Sequence, residues 1–481
     1  MKKVSPWVIT GILALFVGFQ IVALVEQAIA PDLSNGIPHF QTITTIVFQA
    51  VAPFSPLLIV LLLYSWAGRS LLKIVKQHDA HLILSERFRF LSRISRSLPV
   101  SWDTSGIPLL NRPIALLAIG IVSSFLLALT PYRPDINANA LPVGIDTPEY
   151  IQWVSQMLQR PVPDALAYAF TQASSGSRPL SLLFPYAISG LFGTPADVSV
   201  EYYPLFLGPL LVLSSFMFMF LGHGDKRMAA LVGLMTAFSF QLTVGIWAGY
   251  YANWLALAES YLLLGILLRF HKTKSKTSFA GLVILSLSLQ FTHPWTWDLM
   301  ILLSIVFIME HSLKSRDFTT IKLTVLLVAI NLIVDSIRSL ALGGYGGSRA
   351  GLDIATSSTG FSQVIAFWPN VVALFVQNYN GIMADAVILA LALTVEWRLL
   401  STGGSFARLL VWWVVLASLP FPFLGSLLQS RIVYLLPIPV LASAAIIGLE
   451  KLGRSNPQRG LILLLLLFYA ANYSLNAILQ A

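Results

Sequence analysis

Cysteine is absent from the 481 residues. That excludes disulfides, thiolate metal centres and cysteine nucleophiles, and redox usage says nothing of compartment. Charge is scarce: 11% of residues are Asp, Glu, Lys or Arg, against about 25% in soluble domains. The sequence has no P-loop, no GxGxxG before a helix, no HExxH and no GxSxG on a strand–helix turn. The usual signatures of nucleotide binding, zinc proteolysis and serine hydrolysis are therefore missing. No internal repeat is visible in motifs or loop lengths.

What is present is apolar. Hydrophobic residues make up 56% of the chain and the mean hydropathy is +0.77, as in an all-α polytopic membrane protein. Thirteen runs approach the ~20 residues that cross the hydrocarbon core: about 6–30, 43–67, 114–131, 202–222, 228–247, 253–270, 278–292, 298–311, 320–340, 382–399, 408–424, 432–449 and 460–478. The opening MKK and the apolar residues 8–29 superficially resemble a signal peptide. The run is too long for a signal core and has no convincing cleavage site, so a first transmembrane helix is expected.

Alternating these spans with the N-terminus in the cytoplasm puts all but six of the 30 Lys+Arg inside, as the positive-inside rule requires. The expected topology is N-in, C-out, in a multi-pass protein of the cell membrane. The outer six are all arginine: Arg133, Arg160, Arg178, Arg338, Arg349 and Arg431. Arginine's planar fork suits phosphate and carboxylate. The net charge of +9 therefore belongs to the cytoplasmic membrane surface, and no nucleic-acid partner is expected.

Two parts are expected. Residues 1–111 hold two spans and a basic cytoplasmic helix, with Phe88, Leu91 and Leu98 on one face and Arg89, Arg93 and Arg96 on another, a pattern that lies on anionic lipid. Residues 112–481 hold the remaining spans and a long outer loop, 132–201. Within that loop 163–170 and 179–192 are apolar but short and interrupted by Pro or Gly. They are expected to lie along or dip into the membrane surface. A second outer loop, 343–381, is rich in Gly and Ser and reads as mobile.

The most distinctive polar stretch is residues 131–150, PYRPDINANALPVGIDTPEY. Asp146, in G-I-D-T-P-E-Y, reads structurally as a helix N-cap with Glu149 as its capping-box partner, and chemically as a general base beside lipid. Asp135 is a turn residue or a second acid. Its D-I-N could supply one oxygen to a divalent metal, but no metal site is assigned. Arg178, before Pro179, and Arg431, at the outer start of the 432–449 span, either snorkel to the interface or hold a lipid phosphate. Asp335 and Arg338 stand at i and i+3, which favours an ion pair, with a phosphate role for Arg338 second. His293, in QFTHPWTWD, reads as a hydrogen-bonded interfacial histidine and is kept as a substrate contact. Glu259 falls inside a span and is expected to face the bundle interior.

With its apolar run into Pro131, G-I-D-T-P-E-Y around Asp146, R-P-L at 178–180, Y-Y-A-N-W-L-A-L at 250–257 and R-I-V-Y-L-L-P at 431–437, the chain resembles the GT-C class of integral-membrane glycosyltransferases over about residues 112–480. It departs from that class in having two spans before the loop helix, and it lacks both the W-W-D-Y-G signature and a clear D-x-D. The resemblance implies a polyprenyl-phosphate-linked sugar as donor and a hydroxyl on a glycan, lipid or protein as acceptor. It implies inverting transfer at the non-cytoplasmic face, with Asp146 as base, Asp135 as second acid, and Glu149, Arg178, Arg431, Arg338 and His293 around the substrate. The alternatives are a transporter or lipid flippase and a non-catalytic subunit of the same fold.

Overall fold

The computed structural model describes residues 52–64, 101–134, 136–315, 317–341, 345–347, 349, 361–381, 383–402, 404–451 and 455–479. The expected first span, the basic helix at 86–98 and Asp135 lie outside the described residues. So do residues 343–344, 348 and 350–360 of the second outer loop, whose later part folds as short helices, Phe361–Ile365, Phe367–Ala373 and Leu374–Asn378.

Among the described residues the structure is helical without strands. After the apolar helix Ala52–Tyr64 come α1 (Pro113–Leu129), α2 (Thr147–Leu158), α3 (Val162–Thr171), α4 (Pro179–Phe192), α5 (Ala196–Glu201), α6 (Pro204–His223), α7 (Lys226–Ala237), α8 (Phe240–Ala248), α9 (Tyr251–Thr273), α10 (Lys276–Thr292), α11 (Pro294–Ser315) and α12 (Phe318–Ser336). Then follow α13 (Ala386–Thr402), α14 (Ser405–Ser418), α15 (Ser426–Tyr434), α16 (Ile438–Glu450) and α17 (Asn456–Leu479).

Among the described residues seven helices are long and apolar enough to cross a bilayer, eight if the bent pair α15–α16 is one span. The expected spans at 114–131, 202–222, 228–247, 253–270, 320–340, 408–424, 432–449 and 460–478 fall on them. Those at 278–292, 298–311 and 382–399 fold as α10, α11 and α13 but do not qualify. α10 has 17 residues, about 26 Å against ~30 Å of hydrocarbon. α13 likewise has 17 residues, and α11 carries Asp298 and Glu310 along its length.

The α7–α8 segment is 94% buried and forms the middle of the bundle, whereas the α1 and α12 segments are 28% buried and face outward. Close approach rests on small residues, as expected where lipid gives helices little hydrophobic reason to associate. A Cβ on Gly265 of α9 would stand 3.1 Å from Phe218 Cα of α6, and one on Gly120 of α1 would stand 3.2 Å from Leu234 Cα of α7.

Helices in the bundle start in two ways. At the lysine-bearing end, Asp225 caps α7 through the Arg227 and Met228 N–H groups, Ser275 caps α10, and Asp317 caps α12. Lys274 joins that end by its 3.0 Å bridge to Asp317. At the other end α2, α3, α4, α6 and α16 carry proline at one of their first two positions, as α1 does at the lysine-bearing end; its missing N–H is one that a first turn cannot use anyway. There α2, α3, α4 and α5 pack on one another as a cap. α4 has 14 residues, about 21 Å, too short to span, and ends with Leu191 78% and Phe192 72% exposed.

Candidate functional site

The site is assembled on the start of α9, the sequence Tyr250-Tyr251-Ala252-Asn253. Upstream of it, the chain before α2 is grafted onto the end of α8. Ile145 donates its N–H to Trp247 O and Asp146 donates to Ala248 O, both at 3.1 Å, using carbonyls that a helix C-terminus leaves free. Gly249, at φ +65, ends α8 in the left-handed region. A Cβ there would meet Thr147 N at 3.0 Å and Asp146 N at 3.1 Å. Gly249→Ala is therefore expected to cost about 1–3 kcal/mol, read as a lower melting temperature in detergent, and to loosen the Asp146 segment to proteolysis.

Asp146 occupies the N-cap position of α2, but its side chain makes no capping hydrogen bond. The capping box does not form: the Asp146 backbone is helical, at φ −83 and ψ −7, rather than extended as in a capping residue, and the carboxylate faces a guanidinium instead. Its Oδ2 lies 3.6 Å from Arg431 Nη2, with the Asp146 side chain 25% and Arg431 13% exposed. Glu149 is exposed in the first turn. Thr147 holds the start of α2 by donating to Val143 O at 2.5 Å and by a 2.8 Å bond with Tyr251 Oη.

Arg431 sits in the last turn of α15, just before the 52° bend into α16. Its guanidinium stacks 3.5 Å over Tyr250 and donates to Asn253 Oδ1 at 2.6 Å. Arg178 donates to Tyr150 Oη at 3.2 Å, and that oxygen also accepts the Ala252 N–H at 3.1 Å. Both guanidiniums thus hang from the same turn of α9. Burial pulls Arg178 down, but the Tyr150 phenol, Asp146 and Glu149 outweigh it and hold its pKa above the ordinary arginine value. Its Nε is closed to solvent and has no partner.

Two cavities meet here. A polar one of about 230 Å³ is bounded by Ser174, Ser175, Ser177, Arg178, His293, Trp295, Tyr345 and Arg431. A groove of about 480 Å³ runs between α11, α14 and α15, its walls largely leucine with Asp298 on one side. His293, Trp295 and Arg431 line both. Asp146 lines neither and touches this space through Arg431. A third cavity, of about 220 Å³, lies across the 143–144 segment, against Asn137 and Trp247.

His293 joins α10 to α11 and is buried. Its Nδ1 accepts the Thr296 N–H at 3.3 Å and lies 2.7 Å from Thr296 Oγ1. In the neutral ring, Nε2 is therefore the donor. Burial first, then Arg178 and Arg431, push its pKa well below the ordinary 6.5. The folded ring stays neutral where the unfolded one takes a proton, so stability is full above the unfolded value and is lost as pH falls below it. The melting temperature is expected to drop between about pH 7.5 and 5.5, and to drop less in His293→Gln.

Arg338 is 1% exposed, and its guanidinium is committed to carbonyls. Nη1 donates to Gln290 O at 2.5 Å and Nη2 to Gly176 O. Asp335 accepts from the Gln290 amide at 2.9 Å and from Gly347 N at 2.7 Å. The two residues are linked through Gln290, and Arg338 braces the cavity wall without lining the cavity. Glu259 is buried and accepts from Ser288 at 2.6 Å. No group of three or more His, Asp or Glu placed to hold a metal occurs among the described residues.

Fold and site together define a polytopic helical membrane protein in which an arginine-lined cavity shares a wall with an apolar groove. No protein-family model matches the chain, and no curated protein is similar to it.

Proposed function

We propose that this chain is a GT-C-like glycosyltransferase that moves a sugar from a polyprenyl-phosphate donor to an acceptor hydroxyl. The observation that carries the reading is the Asp146–Arg431 pair at 3.6 Å, in which Arg431 lines both the polar cavity and the apolar groove and Asp146 stands directly behind it. An isoprenoid chain fits the leucine-lined groove. Its phosphate would reach Arg431 and Arg178, whose guanidiniums make strong charge-assisted bonds to phosphate oxygens.

Asp146 takes the acceptor's hydroxyl proton as the new C–O bond forms at the anomeric carbon. The bond from that carbon to the phosphate oxygen breaks with inversion, and the electron pair leaves on the phosphate, between the two arginines. Products are the glycoside, the free polyprenyl phosphate and a proton passed from Asp146 to water. A donor already activated and anchored in lipid needs no nucleotide-binding domain. The proposed topology is the N-in, C-out arrangement of thirteen spans, which puts the site on the non-cytoplasmic face of the cell membrane.

The transporter reading keeps one observation of its own: Glu259, buried in α9 with Oε2 unpartnered. Incubation of purified protein with polyprenyl-phosphate sugars labelled in the sugar separates the two. Label is expected in a new glycoside with free polyprenyl phosphate released. Movement of intact labelled lipid across proteoliposome membranes, without release, would replace the enzyme by the transporter.

A further inference from the structure

The polar cavity has one wall in an unusual conformation. Ser174, Ser175 and Gly176 lie consecutively in the left-handed region, at φ 48, 55 and 70. L-residues disfavour that region and visit it singly, so a run of three persists only where its surroundings hold it. Here they do. Ser175 O accepts the Tyr345 N–H at 2.9 Å, Gly176 O accepts from the buried Arg338, and a Cβ on Gly176 would stand 2.1 Å from Phe170 O.

The result is a set of three hydroxyl-bearing residues, Ser174, Ser175 and Ser177, along one side of the cavity. Ser174 and Ser177 Oγ are 2.9 Å apart. Opposite charge would have sufficed for a bare phosphate. A hydroxyl both donates and accepts, which is the complement of another polyol. Beside them the Arg178 side chain lines the same cavity and adds a charged donor to the wall. The cavity, about 230 Å³, has room for a sugar ring.

We propose that the Ser174–Ser177 turn is the sugar-reading wall of the site, selecting a single monosaccharide head by its hydroxyl pattern, with Arg338 as the positioning residue that holds the turn. The inference rests on the proposed function and adds where the head is read. The test is equilibrium binding by full-length protein in detergent, with farnesyl phosphate and its mannosyl and glucosyl esters as probes. Wild type is expected to bind at least one ester about tenfold more tightly than farnesyl phosphate, the effect of one or two retained hydrogen bonds.

Ser174→Ala with Ser177→Ala should erase that preference and leave farnesyl phosphate binding unchanged. Arg338→Lys should reduce the same ratio, whereas a role confined to folding would weaken all three probes alike and remove Arg338 from the proposal. A serine double variant that keeps the wild-type preference, or a wild type that binds farnesyl phosphate but no ester more tightly, overturns the sugar-reading wall alone. No binding of any probe by wild type overturns it together with the donor assignment.

Discussion

Asp146→Asn is expected to lower sugar transfer by about 10²–10⁴-fold, the usual contribution of a positioned general base, while leaving the protein folded. The fold survives because Asp146 contributes its backbone N–H to Ala248 O, which asparagine retains, and its side chain caps nothing. The same substitution should tighten binding of farnesyl phosphate. In the free protein the carboxylate is the counter-ion of Arg431, and a phosphate must compete with it. Rates measured at saturating donor, with binding measured separately, keep the two effects apart. Undiminished turnover would remove Asp146 as base.

Arg431→Gln is expected to weaken lipid-phosphate binding by about 10²-fold or more, since removing one partner of a buried, charge-assisted contact costs about 2–5 kcal/mol. Lysine should not rescue it. A point charge cannot stack on Tyr250 at 3.5 Å and also serve Asn253 and Asp146, which the planar fork does. Binding by Arg431→Lys and Arg431→Gln, measured by the same titration, decides this. Wild-type affinity in either variant would place the phosphate elsewhere.

The sequence made part of this legible. Asp146, Arg178 and Arg431 stand out because charge is rare in the chain and each sits at the edge of an apolar run. Hydropathy found the helices, but it could not tell that the chain would bend by 52° between α15 and α16. The N-cap pattern at Asp146 was visible, but the rival guanidinium arrives from α15, far along the chain. For the same reason i, i+3 spacing joined Asp335 to Arg338 without revealing Gln290 and Gly176.

Asn253 and Tyr250 were missed as individual residues. Y-Y-A-N-W-L-A-L entered only as one motif of the family resemblance, and only the fold shows these two residues cradling Arg431. The Ser174–Gly176 turn carries no signal in composition, since nothing in A-S-S-G-S announces three successive left-handed residues. A glycine beside serines was the single available hint.

The bare tip of α4, with Leu191 and Phe192 unburied, has a mechanical consequence. A keel of two large side chains, sunk among the acyl tails, would fix the altitude of the helical cap, and with it the plane in which Arg178 at the opposite end of the same helix greets an incoming headgroup. Shortening that keel with polar residues should leave the chemistry intact and spoil its alignment with the lipid, so that detergent-solubilised substrate is still consumed while substrate embedded in vesicles is not.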